Sequence, residues 1–198
     1  MGMKDRYVYL ASASPRRRDL LREAGVRFVV VSSSYVEKDD PRYPPHYTAM
    51  RHAVGKCMKA EVPSHALVLG ADTLIAFEGQ IIGKPRDRKQ AREFLSRFSN
   101  RTHEVITGVC IQDRAKNTQH IFYVSSLVTF HSLTSAVIEK YLDTGEYCDK
   151  AGAYGYQEYG KKLVKKVEGS TTNVIGLPMR EVLRAVSFRP AGRGSRGV

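Results

Sequence analysis

Cysteine is scarce in this chain of 198 residues. Cys57, Cys110 and Cys148 are the three that occur. They are far apart and odd in number, which excludes a disulfide framework, and no pair has zinc-ligand spacing. A reducing, cytoplasmic compartment is therefore expected, with the thiols as ordinary buried or half-buried side chains. Long apolar runs are missing as well. The most apolar stretch, residues 66–77, contains Asp72 and is too short to span a bilayer. Between Lys4 and Arg16 the apolar run is brief and broken by Ser12 and Ser14, so no signal peptide is expected. A myristoylation motif starting at Gly2 fails because position 6 is Arg6 rather than Ser or Thr. No segment repeats, and neither an RNA-binding aromatic motif nor zinc-finger spacing occurs.

Acid is in short supply: 20 acidic residues face 32 basic ones, a net charge of +12. Such an excess suits nucleic acid, a small polyanion such as a nucleotide, or plain solubility. Part of it sits at residues 189–198, where Arg189, Arg193 and Arg196 stand among glycines without an acid, and this end is expected to be disordered. A denser patch lies at Lys161, Lys162, Lys165 and Lys166. Apolar residues make up 42% of the chain, enough for a packed core, and the length suits one domain of about 150 residues or slightly more.

Strand and helix patterns alternate from end to end. Strands are expected at 7–11, 28–31 (buried), 66–70, 104–111, 121–130 and 163–167, with a hairpin at 74–82 turning at Glu78-Gly79. Helices are expected after Ser14-Pro15 up to Gly25, over 47–60, from Asp87 to about Phe98, from Thr134 to about Leu142, and from Pro178 to about Val186. Residues 32–45 and the glycine-rich 145–160 read as loops. The mixture argues for an α/β or α+β single domain over 1–188, followed by the 189–198 tail.

Several constellations could carry chemistry. In Ser12-Ala13-Ser14-Pro15-Arg16-Arg17 a helix start presents unpaired N–H groups beside two hydroxyls and two guanidinium groups. A bound phosphate would compensate this charge; a plain N-cap with a solvated basic face is the other reading. Asp72, in Gly70-Ala71-Asp72-Thr73 at the end of an apolar strand, could hold a cation or orient water, or be an ordinary turn residue. Lys84, on a tight turn, could neutralise a phosphate as a point charge. Lys56 could do the same or simply snorkel, and Glu37 could be a second carboxylate for a metal or a solvated side chain. Residues 145–160 suggest a loop folded close to a ligand, where Gln157 could read a base edge, or a bulged strand bent at its glycines. His103 reads as structural, and Ser14 as a cap rather than a nucleophile.

In this order along the chain, Ser-x-Ser-Pro-Arg-Arg, Gly-Ala-Asp-Thr, Gly83-Lys84-Pro85, Thr102-His103-x-Val105-x-Thr107-Gly108, Gly145-Glu146-x-x-Asp149-Lys150-Ala151-Gly152-Ala153-Tyr154-Gly155-x-Gln157 and Asn173-Val174-x-Gly176-Leu177-Pro178 resemble the motifs of Maf proteins. The resemblance spans residues 7–187. It implies an α/β fold with a mixed central sheet flanked by helices, two lobes and a deep cleft, similar to the inosine triphosphatase architecture. It implies a house-cleaning nucleoside triphosphate pyrophosphatase that releases the monophosphate and pyrophosphate with a divalent cation (Mg²⁺, Mn²⁺ or Co²⁺). Homodimers and a link to septum formation also belong to the family picture. By resemblance Asp72 is the catalytic proton acceptor. Ser12, Arg16, Arg17, Lys56 and Lys84 contact the phosphates, Glu37 and Asp72 hold the metal, and Arg16, Thr73 and Gln157 mark the branch that prefers dTTP and UTP. Tyr156 departs from the family, which often has an apolar residue there. The alternatives are a non-catalytic nucleic-acid-binding regulator of cell division and a pyrophosphatase for purine triphosphates.

Overall fold

The computed structural model describes residues 7–157 and 159–187, so the expected tail at 189–198 lies outside the described residues. Its framework is a seven-stranded mixed sheet in the order β2-β1-β3-β5-β6-β7. The strands are β1 (Val8–Leu10), β2 (Phe28–Val30), β3 (Leu67–Phe77), β4 (Gln80–Ile82), β5 (Thr102–Asp113), β6 (Thr118–Phe130) and β7 (Val164–Glu168), with β4 paired to β3 off the main path. β1 runs parallel to both β2 and β3, and the other pairings are antiparallel.

Helix α1 (Pro15–Glu23) follows β1, with Pro15 fixing its first turn. It ends where Gly25 takes φ 67°, a left-handed conformation that costs glycine little. Asp87 accepts from the Gln90 N–H to start α3 (Arg88–Phe98), and Thr134 accepts from the Val137 N–H to start α4 (Ser135–Leu142). The β3–β4 hairpin turns at Glu78 and Gly79, both at positive φ, as a tight turn of this hand requires.

Two expectations need correcting. Residues 28–31 were expected as a buried strand, but β2 is the sheet's outer strand and leaves Val29 and Val30 exposed. Its apolar sequence matches its β propensity, whereas burial depends on a neighbour that an edge strand lacks. The strand expected at 66–70 continues to Phe77, so Asp72 and Thr73 lie within β3 rather than at its end. Backbone pairing to β5 from Leu67 to Ala76 carries the strand straight through these polar residues. A short helix that the sequence pattern did not reveal, α5 (Thr171–Ile175), is started by the Ser170 hydroxyl accepting from the Asn173 N–H.

Helix α2 (Pro45–Met58) crosses one face of the sheet. Gly108 and Gly70 make this approach possible, since a Cβ at either would collide with the α2 backbone near Ala49 or Ala53. On the opposite face, Leu20 and Leu21 of α1 and Val182 of α6 (Met179–Ser187) pack with Leu10, Leu69 and Val109. Farther along, α3 and α4 pack around Ile75, Phe77, Phe98 and Phe130. His103 lies in this second cluster, 2% exposed, stacked on Phe98 and 2.6 Å from the Tyr154 hydroxyl through Nε2. Burial holds its pKa down at about 4, so the ring is neutral and structural. No helix of the described residues is long and apolar enough to cross a membrane.

Candidate active site

Pairing of β3 to β1 stops at Leu69, and pairing to β4 begins only at Ile75. Between these points β3 keeps β5 on one side and loses its strand partner on the other. The freed backbone needs other partners, and the Ala71 carbonyl accepts from Lys56 Nζ at 3.2 Å. This gap lies beside the carboxyl end of parallel strand β1, where ligands collect in sheets of this kind. A cavity of about 1190 Å³ opens there. Its walls include Ser12, Arg16 and Arg17 from the start of α1, Glu37 from the loop before α2, and Lys56 from α2. Asp72 and Thr73 come from β3, Lys84 from the turn after β4, and Gln157 from the glycine-rich loop. Every site residue expected from the sequence therefore faces one space.

Alternation along β3 sends Asp72 and Thr73 to opposite faces of the sheet and gives the site two polar networks. On the α1 side Arg17 is buried. Its Nε donates to the Gly176 carbonyl at 2.8 Å, one terminal nitrogen to Ser12 Oγ at 2.8 Å, and the other to Thr73 Oγ1 at 3.0 Å. Thr73 Oγ1 also lies 3.0 Å from Thr107 Oγ1, which donates to the Asn173 carbonyl. A guanidinium has five N–H donors, so Arg17 retains capacity for an anion after these bonds. Its bonded partners are neutral oxygens, so its charge is balanced over distance, chiefly by Asp72. Ser14 occupies the N-cap position without a side-chain capping bond, and its N–H donates to Ser12 Oγ at 3.3 Å. Arg16 is half-buried, and burial pulls its pKa down, with Tyr141 acting in the other direction.

On the α2 side, Lys56 Nζ lies 2.7 Å from both Asp72 Oδ1 and Glu37 Oε1. Asp72 is 6% exposed. Burial pushes its pKa up, but the His52 hydrogen bond, Lys56 and Arg17 outweigh that and hold the carboxyl well below the usual carboxylate range. The side chain is thus held in its carboxylate form, which suits binding a cation and orienting water.

Sequence reasoning missed His52. The ring is buried, with Nδ1 3.2 Å from Asp72 Oδ2 and Nε2 3.4 Å from the Lys38 carbonyl. Burial lowers its pKa, but Asp72, the Lys38 carbonyl and Asp39 reverse this and raise it overall. The helical pattern of 47–60 does not reveal its role, because its partner is 20 residues away. A polar side chain within an apolar helix face was the only available signal.

The donor set fits a divalent cation. Glu37, His52 and Asp72 offer ligand atoms within 4.8 Å of one another. Both ring nitrogens of His52 face other partners, Asp72 Oδ2 and the Lys38 carbonyl, so the free donors are the oxygens of Glu37 and Asp72, and hard carboxylate oxygens suit a hard divalent cation. The Lys56 ammonium already bridges these carboxylates, so positive charge is favoured between them.

The family model described as "Maf-like protein" matches residues 7–187. A dTTP/UTP pyrophosphatase of Citrifermentans bemidjiense is 41% identical over 185 residues, covering 93% of this chain and 96% of the relative. The protein of that name from Clostridioides difficile is 41% identical over 173 residues, 87% and 89% of the two chains. A third, from Geobacter sp. strain M21, is 42% identical over 185 residues, again 93% and 96%.

Proposed function

The chain belongs to the Maf family, and we propose that it is a nucleoside triphosphate pyrophosphatase acting on dTTP and UTP. The observation that carries the reading is the cavity itself: a buried carboxylate, Asp72, faces a space bordered by Arg16, Arg17, Lys56 and Lys84. A triphosphate brings about four negative charges, which these four cations offset. The names of the relatives supply the substrate class.

In the reaction, water adds to the α-phosphorus and the bond to the α–β bridging oxygen breaks. The electron pair leaves on pyrophosphate, the monophosphate takes the water oxygen, and the proton that this oxygen loses passes through the hydrogen bond to Asp72 and on to solvent. Arg17 holds phosphate oxygens with its remaining N–H groups, while Arg16 and Lys84 supply charge along the chain of phosphates. Asp72, fixed as a carboxylate, orients the attacking water and accepts its hydrogen bond. Gln157 meets the base edge, and Thr73 holds Arg17 in place. Glu37 and Asp72 would hold a divalent cation, which would supply charge neutralisation and polarisation of phosphate oxygens. The proposal includes a cytoplasmic homodimer, supported by the family resemblance and, for the compartment, by the free thiols.

The test is pyrophosphate release from a panel of nucleoside triphosphates with Mg²⁺, Mn²⁺ or Co²⁺. Turnover of dTTP and UTP, with purines poor, is the expected outcome. Preference for purines would keep the reaction and refute the assignment of Arg16, Thr73 and Gln157. An inert protein that bound nucleic acid with steep salt dependence would overturn the reading.

A further inference from the structure

We infer that His52 is a positioning residue that holds the Glu37 loop and Asp72 in a fixed relation across the cavity. One buried ring joins the two chain segments that carry the carboxylates. Its Nδ1 is 3.2 Å from Asp72 Oδ2, on β3. Its Nε2 is 3.4 Å from the Lys38 carbonyl and 3.7 Å from Asp39 Oδ1, immediately after Glu37. The two oxygens of Asp72 are thereby divided: Oδ2 is engaged by His52 and Oδ1 by Lys56, whose ammonium also holds Glu37.

Without His52, Lys56 alone would hold the Asp72 carboxylate, through Oδ1, leaving the group freer to rotate. Glu37 is weakly placed by itself. Its side chain is 52% exposed, and its ion pair is with the same flexible lysine. The loop over residues 31–44 contains no helix and no named strand. The α2 surface holds it at several points. Ser33 Oγ donates to the Lys56 carbonyl at 2.9 Å, Arg51 donates to the Lys38 carbonyl, and the Tyr35 ring lies over Gly55, 5.8 Å from the His52 ring. Of the α2 residues that reach this loop, Lys56 and His52 also touch Asp72, and His52 is the fully buried one of the two. Partners that orient a metal-binding carboxylate from behind are commonly worth about 10–100-fold in metal affinity or activity.

Three substitutions separate the two ends of the ring. His52→Asn places an amide nitrogen near Nδ1, keeping the bond to Asp72 and losing the Lys38 end. His52→Gln reaches toward Nε2, keeping Lys38 and losing Asp72. His52→Leu keeps the volume and loses both. For each, kcat and KM with dTTP, Mn²⁺ binding to substrate-free protein by electron paramagnetic resonance, tryptic cleavage after Lys38 and Arg42, and Tm would be measured. His52→Leu is expected to lose about 10–100-fold in both kcat and Mn²⁺ affinity and to be cut faster in the loop. His52→Asn should recover kcat with the loop still cut quickly, and His52→Gln should keep the loop protected with kcat still low. Wild-type kcat, Mn²⁺ binding and cleavage in His52→Leu would overturn the inference. So would losses in all three variants that follow Tm alone, since that is the behaviour of a packing residue. The kinetic arm rests on the proposed pyrophosphatase reading, whereas the Mn²⁺ and cleavage arms do not. An inert wild-type protein would therefore refute that reading while these arms still decide the role of His52.

Discussion

Arg17→Lys separates the two tasks of the buried guanidinium. Three of its N–H groups brace α1 against Gly176, Ser12 and Thr73 at 2.8, 2.8 and 3.0 Å. A lysine has one nitrogen on a flexible stem and can replace one of these bonds. Hydrogen bonds from a charged donor are worth about 1.5–3 kcal/mol each. Losing the other two gives a gross cost of about 3–6 kcal/mol, reduced because the Ser12 and Thr73 hydroxyls border a cavity where water can replace the donor. A net loss of about 2 kcal/mol remains, which lowers Tm by about 4–8 °C in a chain of this size. The fork geometry that grips phosphate oxygens is lost as well, costing about 3 kcal/mol of transition-state binding, or about 100-fold in kcat/KM. Calorimetry and steady-state pyrophosphate release from dTTP measure the two effects separately. A lower Tm with kcat/KM within about threefold of wild type would show that Arg17 is a strut and refute its contact with phosphate. A protein unchanged in both would refute the energetic reasoning entirely.

Asp72→Asn should lower kcat by at least about 1000-fold, a cost of about 4 kcal/mol, while circular dichroism reports a folded protein; near-normal turnover would remove Asp72 from the mechanism. His103 gives a pH effect away from the site. Its folded pKa of about 4 lies below the ordinary 6.5, so between these values the unfolded chain binds a proton that the folded one refuses. Stability should therefore fall by up to about 3 kcal/mol as pH drops from 7 toward 4 through this residue, and the slope in urea unfolding should shrink in His103→Gln. Gly55→Ala would drive a methyl group into the Tyr35 ring. It should displace the Glu37 loop, raise the concentration of Mn²⁺ needed for half-maximal rate by roughly tenfold, and leave the far-ultraviolet spectrum unchanged.

What could be read from the sequence was mostly what is decided locally. Asp87 and Thr134 mark helix starts because each side chain bonds an N–H three residues on. Glu78-Gly79 marks a hairpin because both residues take positive φ. Burial was not local. Phe28-Val29-Val30 reads as core and lies at the edge, because strand order is set by pairings distant in sequence. The polar Asp72-Thr73 pair reads as a strand end, yet pairing to β5 carries the strand past it. Motif resemblance brought the phosphate, metal and base positions into one list before any geometry. It did not reveal His52, which lies outside the motifs and acquires its meaning from Asp72 on a different element. Nor did it reveal that Thr73 braces Arg17, a relation between side chains 56 residues apart.

The missing strand neighbour explains why the chemistry is where it is. A carboxylate inside a sheet is costly unless charge and hydrogen bonds surround it. β3 meets this condition at Asp72, in the interval where pairing to β1 has ended and pairing to β4 has not begun. The absent strand leaves room for Lys56 to reach both the Ala71 carbonyl and the Asp72 carboxylate. The same opening lets Glu37 approach from its loop to share that ammonium. Lys56 thus balances the two acids from within the protein in the absence of ligand. A cation entering between Glu37 and Asp72 competes with this lysine for their oxygens, and an incoming polyanion offers the displaced ammonium a new partner. Cation and triphosphate should therefore bind with positive coupling. Binding isotherms for Mn²⁺ with and without a non-hydrolysable dTTP analogue measure it directly. In Lys56→Met, Mn²⁺ alone should bind more tightly than in wild type and the coupling should shrink, whereas unchanged coupling would refute this role for Lys56.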